Sequence, residues 1–159
     1  MTQLPRRMLI LSGLAALAAC GGRSRASTKA PVNEPLALNA GETPQLRALI
    51  DRYADEYDVP RSLVHRVVQR ESRYNPRARN GSYYGLMQIA PQTAGTMGFR
   101  GQPSELLDAE TNLKYAVKYL RGAWLVSDGS QERAVGWYAR GYYYEAKRRG
   151  LLRETGLRG

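Results

Sequence analysis

The chain is 159 residues long, enough for one domain built around a single buried core. Its formal charge of +10 suits anionic partners. Its one cysteine, Cys20, excludes an internal disulfide.

Residues 1–19 fall outside that domain. Arg6 and Arg7 precede the apolar run "MLILSGLAALAA", which is too short to span a bilayer and has the order of a signal peptide, a positive region followed by an apolar one. The run ends in "LAAC", Leu17 to Cys20, which resembles a bacterial lipobox. That resemblance implies cleavage before Cys20, lipidation of the cysteine and a membrane anchor in the periplasm. Gly21 comes next, rather than Asp, and in the common sorting pattern this points to the outer membrane. An ordinary signal peptide with a chance cysteine is the alternative. Loss of the segment removes two arginines and leaves the rest strongly basic. An exported lipoprotein does not normally meet nucleic acid, so the polyanions open to it are anionic lipid and cell-wall polymer with its peptide-stem carboxylates.

Residues 20–43 carry the cysteine and then a stretch rich in Gly, Ser, Ala and Pro with no sustained period, which predicts a flexible tether. Residues 44–159 form the expected domain, and the pattern there is helical almost throughout. Thr43-Pro44 has the form of an N-cap with proline at the first helical position, and Leu46, Leu49, Ile50, Tyr53 and Tyr57 share one face. Asp58 and Pro60 open a second helix, with Asn75-Pro76 as its stop. The stretch 77–90 lacks a helical period and reads as loop or short extended structure. Pro91 to Met97 is a short helix. Residues 109–126 set Leu113, Ala116, Val117, Leu120 and Trp124 on one stripe. One last helix is expected to begin at Gly129-Ser130 and end in "AKRRG", with cations in its final turn and Gly150 as its cap.

The second helix carries an anomaly. At about 100° per residue, Val64, Val67, Val68 and Glu71 fall at roughly 100°, 40°, 140° and 80° from Leu63. Glu71 therefore points into the middle of an apolar stripe. A carboxylate there is costly when ionised, so it finds a partner or its pKa rises. One reading pairs it with Arg70 or Arg73. The other weighs its C-terminal neighbours: the hydroxyl of Ser72, the break at Asn75-Pro76 and a glycine-bounded loop leading into "GLMQI". These place an acid at the lip of a cleft, facing a polar loop.

The stretch "ESRYNPRARNGSYYGLMQIAPQTA", Glu71 to Ala94, resembles the signature of the soluble lytic transglycosylases. That signature has Glu-Ser, an aromatic-Asn-Pro step, then Gly-Leu-Met-Gln-Ile with Pro and Thr-Ala close behind. The resemblance continues through "ETNLKYAVKYL" and "WYARGYY" and covers about 115 residues. It implies a mainly α, lysozyme-like domain, with a loop or short extended segment lining the cleft. The implied activity is non-hydrolytic cleavage of the β-1,4 bond between N-acetylmuramic acid and N-acetylglucosamine in peptidoglycan, leaving a 1,6-anhydro end. Carried over residue by residue, Glu71 matches the catalytic acid/base and Ser72 the neighbouring serine. Met87 and Gln88 match substrate-binding residues of the cleft lining, and Tyr138 matches the tyrosine that faces the acid. Two departures stand out. Ala90 replaces the family's usual methionine or threonine, and Ala139, with Arg140 after it, stands where an asparagine is expected, so no site role is assigned to Ala139 or Arg140.

The acidic residues give independent support. A conventional glycosidase uses two carboxyls, yet no Asp or Glu lies between Glu71 and Glu105. Asp55, Asp108 or Glu110 would have to reach the cleft from other segments. A single-acid scheme fits better, and two alternatives remain: a lysozyme-type hydrolase, and a non-catalytic wall-binding or scaffolding lipoprotein. No metal-ligand spacing occurs and no cofactor is called for. His65 falls about 120° around the wheel from Glu71 and is expected in solvent. At least two of Tyr142, Tyr143 and Tyr144 are expected to be packing residues. Arg73, Arg77 and Arg79 make a basic edge beside the cleft, either a solvated loop or an attractant for anionic peptide stems.

Overall fold

The computed structural model describes residues 37–157. They form six α-helices, a short 3-10 turn and one two-stranded ribbon. In chain order these are α1 (Pro44–Glu56), α2 (Arg61–Ser72), β1 (Arg79–Asn80), β2 (Tyr83–Tyr84), α3 (Pro91–Thr96), the 3-10 turn (Pro103–Leu107), α4 (Ala109–Leu125), α5 (Gln131–Arg140) and α6 (Tyr143–Arg149). α4 is the central helix, packed against α1, α3, the 3-10 turn and α5, while α2 packs on α1 and α5. Its apolar stripe explains that position: Leu113, Ala116, Val117, Leu120 and Ala123 are all fully buried. The mainly α expectation holds.

Local chemistry fixes most of the boundaries. Thr43 caps α1 by accepting a hydrogen bond from the Leu46 N–H at 3.1 Å, ahead of Pro44. Asp108 caps α4 through the Thr111 N–H at 2.8 Å, and Ser130 caps α5. The ordered domain reaches back before Pro44, into the end of the stretch read as tether. Asn39 donates to the Tyr74 hydroxyl at 2.7 Å, and the buried Glu42 pairs with Arg47 at 2.6 Å.

Two boundaries differ from expectation. α2 stops at Ser72, ahead of Asn75-Pro76, because Arg73 and Tyr74 both take left-handed backbone angles, φ 51° and 64°. This turns the Tyr74 ring into the core, where it is 2 % exposed. Gly41 packs against the turn so closely that a Cβ would lie 2.6 Å from the Arg73 carbonyl oxygen. The expected single last helix is two, α5 and α6, broken at Gly141 (φ 85°, ψ 150°). The break lets Tyr142 insert into the core and donate to the Tyr119 carbonyl at 2.9 Å, over Gly122, where any Cβ would overlap its ring. Gly150 caps α6 in the left-handed conformation as expected. Of the three tyrosines only Tyr142 is core. Tyr143 and Tyr144 are 46 % and 83 % exposed, which corrects the expectation of at least two packing residues.

Candidate active site

Glu71 is the penultimate residue of α2, its side chain 24 % exposed, at the lip of a cleft of about 310 Å³. Arg70, Asn80, Tyr83, Gln88, Tyr138 and Ala139 line the cleft with it. The helix brings Arg70 and Glu71, the ribbon Asn80 and Tyr83, the loop after it Gln88, and α5 Tyr138 and Ala139. Burial raises the Glu71 carboxyl above its ordinary pKa, while the Arg70 guanidinium, its Nε 3.5 Å from Oε1, pulls it down; the net shift is upward. Both sequence readings of Glu71 are thus partly realised. It pairs with Arg70, and it remains a half-buried acid facing a polar cleft.

The wall opposite α2 is held by hydrogen bonds that side chains make to the main chain. β1 and β2 pair antiparallel with Arg79 opposite Tyr84 and Asn80 opposite Tyr83, and the Arg79 guanidinium lies 4.9 Å over the Tyr84 ring. Asn112, buried on α4, accepts from the Met87 N–H at 3.0 Å and donates to the carbonyls of Tyr84 and Leu106, both at 2.8 Å. Gly85 makes room for it, since a Cβ there would overlap the Asn112 amide and the Leu106 carbonyl. Tyr138 donates to the Met87 carbonyl at 2.9 Å. Burial and, secondarily, the Glu71 charge push its phenol well above the ordinary range, so it stays neutral. Gln88, at φ 47°, donates its amide to the carbonyls of Ala78 at 3.1 Å and Gly85 at 2.9 Å.

The site residues expected from sequence separate into two groups. Glu71, Gln88 and Tyr138 meet in the cleft. Ser72 and Met87 do not line it. The Ser72 hydroxyl donates back to the Val68 carbonyl at 3.3 Å, and the Met87 side chain is fully buried, so Met87 serves the site through its backbone. Ala139, given no site role from sequence, lines the cleft, whereas Arg140 stacks on Trp137 with its guanidinium carbon 3.9 Å from the ring centre. The cation in the cleft wall is Arg70, and none of Arg73, Arg77 and Arg79 lines it. His65 is not in solvent: it sits 19 % exposed between Tyr74 (3.0 Å), Asp51 (3.2 Å) and Glu42 (3.5 Å). Asn80, Tyr83 and the role of Asn112 were missed. Asn112 carried a signal like that of Glu71, a polar residue on an apolar stripe, one position before Leu113 and four before Ala116.

Among the described residues Glu71 is the only carboxylate lining the cleft. Asp55 is paired with Arg61, Asp108 caps α4, and Glu110 binds Arg52 and the Tyr53 hydroxyl. The described residues contain no group of three or more His, Cys, Asp or Glu placed to hold a metal ion. No helix among them is long and apolar enough to cross a membrane. Cys20 lies outside the described residues.

A helical domain with one half-buried acid at the lip of a polar cleft is of the lysozyme-like class. The family model described as Transglycosylase SLT domain matches residues 48–151, and the chain belongs to that family. Over 80 residues it is 39 % identical to the membrane-bound lytic murein transglycosylase C of Yersinia enterocolitica, 41 % to that of Haemophilus influenzae strain PittEE and 36 % to that of Serratia proteamaculans. Each match takes in 45 % of this chain and 22 % of the relative, so the chain spans only about a fifth of those proteins. No solved structure matches it.

Proposed function

We propose that this chain is a peptidoglycan lytic transglycosylase, exported and lipid-anchored through Cys20 at the outer membrane. The observation that carries the catalytic reading is Glu71, an acid half-buried in a cleft that has no second carboxylate among the described residues. Inverting glycosidases need a second carboxyl to activate water, and retaining ones need it as nucleophile. Here neutral Glu71 protonates the glycosidic oxygen of the bond to the departing sugar. As that bond breaks, the C6 hydroxyl of the muramic acid residue attacks its own C1 and gives its proton to the Glu71 carboxylate. A 1,6-anhydro end forms and the acid is restored. Because the nucleophile belongs to the same sugar, proximity stands in for a bound water. Burial supports the first step by keeping the carboxyl protonated nearer neutral pH.

The neighbours have consistent roles. Tyr138, neutral and tied to the Met87 carbonyl, fixes the wall behind the acid. The Gln88 amide nitrogen is spent on two carbonyls, which leaves its oxygen as an acceptor for a sugar hydroxyl or N-acetyl N–H. Ser72 supports the helix end that presents Glu71. The relatives' names, membrane-bound lytic murein transglycosylase C, fit both the substrate and the anchor. Glu71→Gln keeps the shape of the side chain but cannot deliver a proton, so fragment release from purified sacculi should fall by about two orders of magnitude. Retained release per folded molecule would refute the assignment.

A further inference from the structure

Arg70 poses a chemical problem for a catalytic Glu71. An acid that must hold its proton gains nothing from a cation 3.5 Å away, because that cation favours the ionised form. The contact is also an incomplete use of a guanidinium. Its closest approach is Nε to one carboxylate oxygen at 3.5 Å, on a side chain 55 % exposed in the cleft wall, and the guanidinium makes no hydrogen bond of ordinary length to a described residue. Arginine's planar fork suits a carboxylate held by two N–H groups, and here that capacity is unspent.

The charged and titratable groups lining the cleft are few. α2 supplies Arg70 and Glu71, the ribbon supplies Tyr83, and α5 supplies Tyr138, which burial keeps neutral. Arg70 is the one cation among them. On the α5 side Ala139 offers no polar group.

We propose that Arg70 holds a peptide-stem carboxylate of the polymeric substrate, giving up its contact with Glu71 to do so. This rests on the transglycosylase reading. Once the substrate takes the guanidinium, burial alone acts on Glu71, which then takes a proton from solvent and is ready to donate it. Binding of a correctly charged substrate thereby arms the acid.

The test uses the full chain on soluble glycan strands whose stem carboxyls are either native or converted to amides. Wild type should show kcat/KM about fivefold or more lower on the amidated strands. Arg70→Gln should be slowed on native strands and indifferent to amidation, with an unchanged melting temperature because the side chain is exposed. The pH profile adds a readout that a purely structural role would leave alone: on native strands the alkaline limb of kcat should lie above that of kcat/KM in wild type, and the two should coincide in Arg70→Gln. Equal wild-type rates on both strands, or discrimination that survives Arg70→Gln, would overturn the proposal while leaving the transglycosylase reading intact. No release by wild type from either strand would overturn both.

Discussion

Glu71 is where sequence and chemistry meet at the residue scale. Its folded carboxyl is raised by burial and only partly relieved by Arg70. The folded state therefore binds the proton more tightly than the unfolded chain does. Above the folded pKa the ionised group subtracts from stability, and the penalty disappears as pH falls below the unfolded value of about 4.3. Glu71→Gln should accordingly melt at the same temperature as wild type or slightly higher at pH 7, with any gain shrinking toward pH 4. Thermal unfolding of both proteins at the two pH values checks this; a clear destabilisation at pH 7 would make Glu71 a structural partner of Arg70 instead. This residue was legible in the sequence because its anomaly lies within one helix, where a wheel compares it with its own neighbours. The environment of His65 was not legible in that way. Its partners Glu42, Asp51 and Tyr74 come from three other places in the chain, and no periodicity within α2 points to them. Met87 was identified by motif alone, and a motif does not say whether a residue acts through its side chain or its backbone.

At the scale of elements, the cleft depends on one buried amide. Asn112 ties the Met87 N–H and the Tyr84 and Leu106 carbonyls to α4, so one side chain holds the ribbon and the loop after it by two bonds and the 3-10 turn by a third. Asn112→Ala leaves those groups without their partner and should cost on the order of 3 kcal/mol in chemical denaturation. Fragment release by the folded fraction should fall as well, because Gln88 and the Met87 carbonyl lose their support. A loss below about 1 kcal/mol would mean that the loop has other anchors. Helix ends with strong caps were placed correctly from sequence, as the start at Thr43-Pro44 and the end at Gly150 show. The errors fell where tertiary contacts overrule local pattern. The helix expected to run through to Gly150 breaks because burying Tyr142 against Tyr119 requires the backbone to leave the helical region at Gly141. α2 ends early because the left-handed turn at Arg73-Tyr74 buries Tyr74 against residues 39–42, a segment whose composition resembles a linker.

For the whole molecule, the proposed membrane anchor tethers a basic domain so that enzyme and wall are held within reach of each other. The anchor and the chemistry are separable. Cys20→Ala should abolish incorporation of labelled palmitate and shift the protein out of the membrane fraction, while release of fragments from sacculi in vitro stays at the wild-type level. Equal labelling of the variant would remove the lipid anchor from the account. The proposed chemistry uses one acid and no activated water, and the reaction products record which path was taken. The most direct measurement digests purified peptidoglycan with the full chain in water enriched in oxygen-18 and weighs the released muropeptides by mass spectrometry. Fragments should end in 1,6-anhydro-muramic acid and carry no heavy oxygen. Hydrated reducing ends labelled with oxygen-18 would show that water is the nucleophile and would contradict the single-acid mechanism.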